Sequence, residues 1–361
     1  PTDLSNDSSD VVLQRRKVNF KRIFMKVAVI GLGYWGPNLL RNFLSQPDVE
    51  RVIACDMKED RLKVMRQKFP SIQVSSSCEE TLTGDSDLIV IATPVATHFP
   101  IAKKALENGK HIWVEKPFTA NAAEAEELIE IAEARNLKIF VDHTFIYNGA
   151  VLKMKELVDN GELGNILYFD SERINLGLFQ RDVNVIWDLA PHDLSIMQFI
   201  MGKKAKAISA NGIANFNGKE NIAHISIYFE DNCFAHFHVN WVSPVKIRRM
   251  IVGGTKKMLV YDDMENFEKI KVYDSGIDIK SPEGIHEALV QYRIGDMFSP
   301  KVNQTEALAL GARECLDAIK EDRQPLTNGY DGLEIVKLLE ASDKSLKGMG
   351  RIVEIQDLVH F

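Results

Sequence analysis

Two groups of residues have the types and spacing to do chemistry. Gly31-Leu32-Gly33-Tyr34-Trp35-Gly36 is a GxGxxG segment. It follows an apolar run, opens a helical pattern, and has Asp56 closing the next strand-like run, 20 residues past Gly36. In that setting it reads as a dinucleotide-binding fingerprint, with Tyr34 and Trp35 on the binding turn. Gly31 permits the tight turn, Gly33 lets backbone approach a pyrophosphate, and Gly36 lets helix and strand pack closely. The helix N-terminus offers N–H groups and positive dipole to the phosphates. Asp56 can accept hydrogen bonds from the adenosine ribose. Its charge would repel a 2′-phosphate, so NAD is expected over NADP, with Lys58 the one opposing feature. Thr93, after the next apolar strand, falls at the carboxyl edge where cofactors lie. The second group is Asp188 and His192. Four residues apart, they share one face of a helix. His192 has the ordinary pKa of a general base, and Asp188 could orient it or raise its pKa. Pro191 then belongs in the first helical turn, with Asp188 near the N-cap.

The elements that must position these groups follow two patterns. From Lys26 to Val141, six short apolar strands alternate with helices (Lys26–Ile30, Arg51–Asp56, Ile72–Val74, Asp87–Ala92, His111–Val114 and Lys138–Val141 being the strands). That alternation predicts a parallel, doubly wound α/β sheet. After residue 150 the pattern changes to a helix, Val151–Asn160, and then strands Ile166–Asn175, Ala205–Asn211, Ala223–Phe229, Cys233–Val242, Arg248–Val252 and Lys257–Tyr261. These read as antiparallel, with one wet face. Two helices, Glu306–Lys320 and Asp331–Leu346, close the chain. The expected division is an extension over 1–24, a NAD-binding Rossmann domain over 25–145, and a substrate and oligomerisation domain over 146–361, with terminal helices free to pack back on the first domain.

Composition limits the function classes. The chain has 361 residues, enough for about two domains. Its net charge is −7, which argues against general nucleic-acid binding. No apolar run reaches the roughly 18 residues of a membrane span. The four cysteines form no CxxC pattern, in keeping with a reduced, cytoplasmic setting. His236 and His238 share a strand face, with His224 the nearest further candidate, and no metal site is read there.

Three further segments sharpen the picture: Glu115-Lys116-Pro117 at the end of the fifth strand, Thr93-Pro94 with His98, and Trp187-Asp188-Leu189-Ala190-Pro191-His192-Asp193. Together with the fingerprint they resemble the glucose–fructose oxidoreductase / inositol 2-dehydrogenase (Gfo/Idh/MocA) family over residues 25–357. The resemblance implies a Rossmann domain followed by a domain with a large open antiparallel sheet, which often mediates dimers or tetramers. It also implies a frequently cis Lys116–Pro117 peptide. The family's EKP lysine matches Lys116, and its Asp-x-x-x-His pair matches Asp188 and His192. Ala190 and Ser195 depart from the usual DxGxHxxD pattern. A secondary-alcohol oxidation then has NAD as hydride acceptor, His192 as base, and Lys116 on the reacting oxygen. Pro94, His98 and Glu115 join the expected cofactor contacts. Tyr147, Asn148, Arg173 and Asn175 are expected to line the substrate pocket, with Arg173 available to a phosphate or carboxylate. Arg181, Asn184 and Trp187 could shape it.

The stretches 143–148, 184–193, 299–301 and 325–329 resemble the nucleotide-sugar branch. That implies oxidation at C3 of UDP-N-acetylglucosamine, supplying a 3-keto sugar for amino-sugar synthesis of lipid A or surface glycans. An inositol or free-sugar dehydrogenase, a 3-keto-sugar reductase, and a non-catalytic NAD-binding regulator are the alternatives.

Overall fold

The computed structural model describes residues 24–177, 179, 183–216, 218–278 and 291–355. Residues 1–23 of the expected extension and Arg181 lie outside them. Six strands form the first sheet: β1 Met25–Ile30, β2 Val49–Cys55, β3 Gln73–Ser75, β4 Leu88–Ile91, β5 His111–Glu115 and β6 Ile139–Asp142. All pair in parallel, in the order β3-β2-β1-β4-β5-β6. Helices α1 Gly36–Leu44, α2 Glu59–Lys68, α3 Cys78–Thr83, α4 His98–Glu107 and α5 Ala122–Ala134 make the crossovers. Strand β4 is Leu-Ile-Val-Ile and wholly buried, as a strand covered on both faces must be. Sequence periodicity overlooked α3, whose six residues are too few to show a repeat. Ser77 caps it, its hydroxyl accepting from the Glu80 N–H.

The second sheet has nine strands in the order β14-β13-β12-β11-β7-β10-β9-β8-β15. They are β7 Ile166–Leu176, β8 Ala207–Ile213, β9 Ile222–Tyr228, β10 Phe234–Asn240, β11 Val242–Gly254, β12 Met258–Asp262, β13 Ile270–Asp278, β14 Gln291–Phe298 and β15 Val353–Glu354. Helix α6, Gly149–Asp159, precedes them. The sheet is mostly antiparallel, as expected, with one exception. β7 and β10 pair in parallel, because α7, Val185–Met201, carries the chain back across the sheet between β7 and β8. Burial alternates strictly along β10: Ala235, Phe237 and Val239 face the core, while His236 and His238 face outward.

Two terminal helices, α8 Ala307–Lys320 and α9 Gly329–Lys347, pack back on the first sheet. Leu308, Ala312, Cys315 and Leu316 of α8 join one core with Val27, Val29, Phe43, Val90, Trp113 and Phe140. A Cβ on Gly311 would lie 3.2 Å from Trp113 and 3.3 Å from Tyr147. That contact lets α8 lie close to the stacked rings of Trp113, Phe140 and Tyr147. Helix α9 packs on α5, β6, α7 and β8, and so touches both sheets. Among the described residues, no helix is long and apolar enough to cross a membrane.

Candidate active site

The turn after β1 is built by two glycines. Gly31 has φ +95°, a left-handed conformation that side chains resist. A Cβ on Gly36 would fall 2.0 Å from the Gly31 carbonyl oxygen. The absent side chain therefore admits the turn's own carbonyl, rather than serving mainly helix–strand packing. Gly33 is different, with nothing within 4 Å of where a Cβ would stand. The turn leaves an open cradle there, beside the uncapped start of α1, which has no acidic residue in its first turn. Asp56 closes the far side. Its carboxylate accepts from the N–H groups of Leu32 (2.8 Å) and Lys58 (2.9 Å) and from Arg61 (3.0 Å). Burial opposes its charge, but these donors outweigh burial and hold it below the usual carboxylate range.

A cavity of about 770 Å³ starts at this turn. Gly31, Gly33, Tyr34, Trp35, Asp56, Thr93, Pro94, Glu115, Lys116 and Asp188 all line it. Residues far apart in the chain, from the fingerprint to α7, thus meet around one space. An open glycine cradle, an uncapped helix start and a carboxylate on the far side of the cavity fit a dinucleotide such as NAD. Arg61 also lines the cavity, a cation that sequence spacing did not single out.

At the inner end, Lys116, the residue after β5, meets α7. Its Nζ donates to the Asp188 carbonyl at 2.7 Å and lies 3.7 Å from the Asp188 carboxylate. The Lys116–Pro117 peptide is cis. Asp188 does not orient His192: its carboxylate accepts from Trp241 Nε1 at 3.0 Å and faces Lys116. The N-cap is Asn184, whose side chain accepts from the N–H groups of Ile186 and Trp187. Pro191 therefore lies in the second turn, not the first. His192 packs edge-on against Phe145, with ring centroids 5.0 Å apart, and its Nδ1 is buried with no hydrogen-bond partner. Burial first, then the charges of Lys116, Arg173 and Arg248, push its pKa well below the ordinary 6.5. The imidazole is therefore neutral at pH 7, and it does not itself line the cavity.

Several expected contacts lie elsewhere. His98 is 1% exposed and does not line the cavity. Its Nδ1 meets the Pro117 carbonyl at 3.0 Å and its Nε2 the Thr93 carbonyl at 2.8 Å, so it ties together two loops at the cavity edge. Tyr147 turns into the core, where its hydroxyl meets Thr327 and its ring stacks on Phe140. Asn148 caps α6 through the Ala150 N–H. Arg173 is 3% exposed, and its guanidinium is held by Asp193, with Nε at 2.8 Å. Ser171 donates to the same carboxylate. Arg173 therefore meets no free anion, although it lies over Phe145, 4.7 Å from the ring centroid. Asn175 sits half-buried near the end of β7, beside Gly177. Trp187 does line the cavity, anchored through Nε1 to Asp343 at 2.8 Å. His224, His236 and His238 stack on the outward sheet face, and no described group of three or more ligating residues could hold a metal.

Asp142, His143, Trp241 and Arg248 were not singled out from sequence. Asp142 ends β6 and His143 follows it, at the same carboxyl edge that pointed to Thr93 and Glu115, so that signal was available. Trp241 and Arg248 come from β-strand pairing across the second sheet, which spacing does not reveal.

Residues 25–143 match the model of an oxidoreductase family with a NAD-binding Rossmann fold. Residues 151–260 match the GFO/IDH/MocA C-terminal domain. The oxidoreductase YdgJ of Escherichia coli (strain K12) is 32% identical over 338 residues, spanning 87% of this chain and 95% of that one. UDP-N-acetylglucosamine 3-dehydrogenase of Acidithiobacillus ferrooxidans is 25% identical over 321 residues, again 87% and 95% of the two chains. The crystal structure of GenD2 from gentamicin A biosynthesis, in complex with NAD, shares the fold with a TM-score of 0.78. It is 22% identical and covers 93% of this chain and 97% of that one. Both domain models fall in order along the chain, and the likeness to YdgJ runs nearly end to end: this protein belongs to the Gfo/Idh/MocA oxidoreductase family and binds NAD on its Rossmann fold.

Proposed function

We propose that this chain is a dehydrogenase that uses NAD to oxidise a secondary hydroxyl of a nucleotide-linked sugar, with C3 of UDP-N-acetylglucosamine as the position attacked. The observation that carries the chemistry is the meeting of Lys116, Asp188 and the cofactor turn around one cavity, with neutral His192 on the same helix as Asp188. Support for the substrate comes from the relative of that activity, matched over 95% of its length.

Bound NAD supplies the hydride acceptor. The rest falls to the chain's own side chains. Lys116 hydrogen-bonds the reacting oxygen and stabilises its developing negative charge. Asp188 holds the lysine from two sides, through its carbonyl and its carboxylate. His192 takes the hydroxyl proton on its imidazole. Burial, and then the neighbouring cations, keep it unprotonated before the reaction. Trp187, at 8% exposure, walls the cavity beside Asp188 against water, and Trp241 holds the Asp188 carboxylate through its indole N–H. A second copy of the chain docking on the outward face of the nine-stranded sheet is part of the same proposal.

The test is NADH formation with UDP-N-acetylglucosamine beside myo-inositol, with a carbonyl trap to draw off the ketone. Turnover with the nucleotide sugar alone supports the proposal. Turnover with inositol alone replaces it with a free-polyol dehydrogenase.

A further inference from the structure

Strands β5 and β6 run parallel, and their last residues, Glu115 and Asp142, stand in register. Their side chains therefore project side by side at the carboxyl edge. Both are nearly inaccessible, at 9% and 3% exposure. Each carboxyl lies within hydrogen-bonding reach of the other. Their surroundings differ. Asp142 accepts from the Thr144 hydroxyl at 2.5 Å. Glu115 Oε1 is buried and receives no hydrogen bond. Two adjacent buried carboxylates cannot both stay charged, and the less solvated one keeps the proton.

We propose that Glu115 and Asp142 share one proton, Glu115 donating and Asp142 accepting, so that the buried pair carries a single negative charge at the carboxyl edge, next to Lys116 in the chain. The other groups facing the pair fit this arrangement. His143 is buried with neither ring nitrogen bonded, and burial holds its pKa down to about 3, so it is neutral. Tyr147 and Cys315, from the neighbouring helical segments, are pushed up by burial and are also neutral. Lys116 is the cation that acts on both carboxyls. Burial raises Glu115 well above the usual carboxylate range, whereas Asp142 rises only to about 6, because Thr144 and Glu115 donate to it.

The test is the infrared spectrum of the full chain without substrate, so its outcome is separate from that of the sugar assay. The wild type carries a buried protonated-carboxyl band at neutral pH, and Glu115→Gln lacks it. Asp142→Asn removes the neighbouring charge, and the band then disappears at a lower pH than in the wild type. A wild type without the band, or a Glu115→Gln variant that keeps it, overturns the proposal.

Discussion

Replacing Gly33 by alanine separates cofactor binding from folding. Nothing lies within 4 Å of the new methyl group, and the residue is outside the left-handed region that favours glycine. The empty protein therefore accommodates it, and reduced freedom in the unfolded chain adds about 0.4–1 kcal/mol of stability. The same methyl fills the cradle into which a pyrophosphate would settle. Loss of one charge-assisted backbone hydrogen bond removes about 1.5–3 kcal/mol of binding. At 1.4 kcal/mol per factor of ten, NAD binding weakens roughly 10- to 150-fold. Trp35 and Trp187 border the cavity, so tryptophan fluorescence can follow an NAD titration, with thermal unfolding measured alongside. Gly36→Ala is the contrast. Its methyl would meet the Gly31 carbonyl at 2.0 Å, so unfolding temperature and NAD affinity fall together. Wild-type NAD affinity in Gly33→Ala, or early unfolding of that variant, refutes the cradle.

The remaining predictions concern chemistry, cofactor choice and pH. His192→Asn lowers kcat by about 10²–10⁴ while the Kd for NAD stays within about twofold; unchanged turnover removes His192 from the reaction. Asp56→Ala frees Arg61 from its 3.0 Å ion pair and removes the charge opposing a 2′-phosphate, so the ratio of kcat/KM for NAD over NADP falls. An unaltered ratio sinks the ribose assignment. Glu115→Gln raises Tm more at pH 8 than at pH 4. Burial raises the folded pKa of Glu115, so its contribution is fully present below its unfolded value, near 4.5, and is lost as pH rises. Glutamine carries no such penalty, and a pH-independent gain contradicts the shift.

What the sequence made legible depended on whether the cause was local. The fingerprint turn could be read because Gly31 and Gly36 satisfy constraints within one turn of chain, and Asp56 sits one strand away. The alternating pattern of Lys26–Val141 likewise specified the parallel sheet, since each buried strand is its own apolar run. Partners set by tertiary pairing were hidden. Asp188 and His192 do share a helix, yet the carboxylate is taken by Trp241, 53 residues further along the chain. Arg173 suited an anion, but Asp193 already holds it. Tyr147 and Asn148 stand at the junction between the sheets, where residue type alone cannot tell a pocket wall from a core ring and a helix cap. Glu115 and Asp142 are 27 positions apart and meet only through strand register.

The return of α8 to the first sheet has a consequence for how the protein is made. Residues 25–142 emerge first from the ribosome and hold all six parallel strands. The face bearing Val27, Val29, Val90, Trp113 and Phe140 receives its α8 cover only when residues 308–316 follow. Until then a wide apolar surface stays open on the nascent chain. That apolar core is therefore completed only by a segment made near the end of synthesis, and a fragment ending near residue 143 would carry the uncovered face.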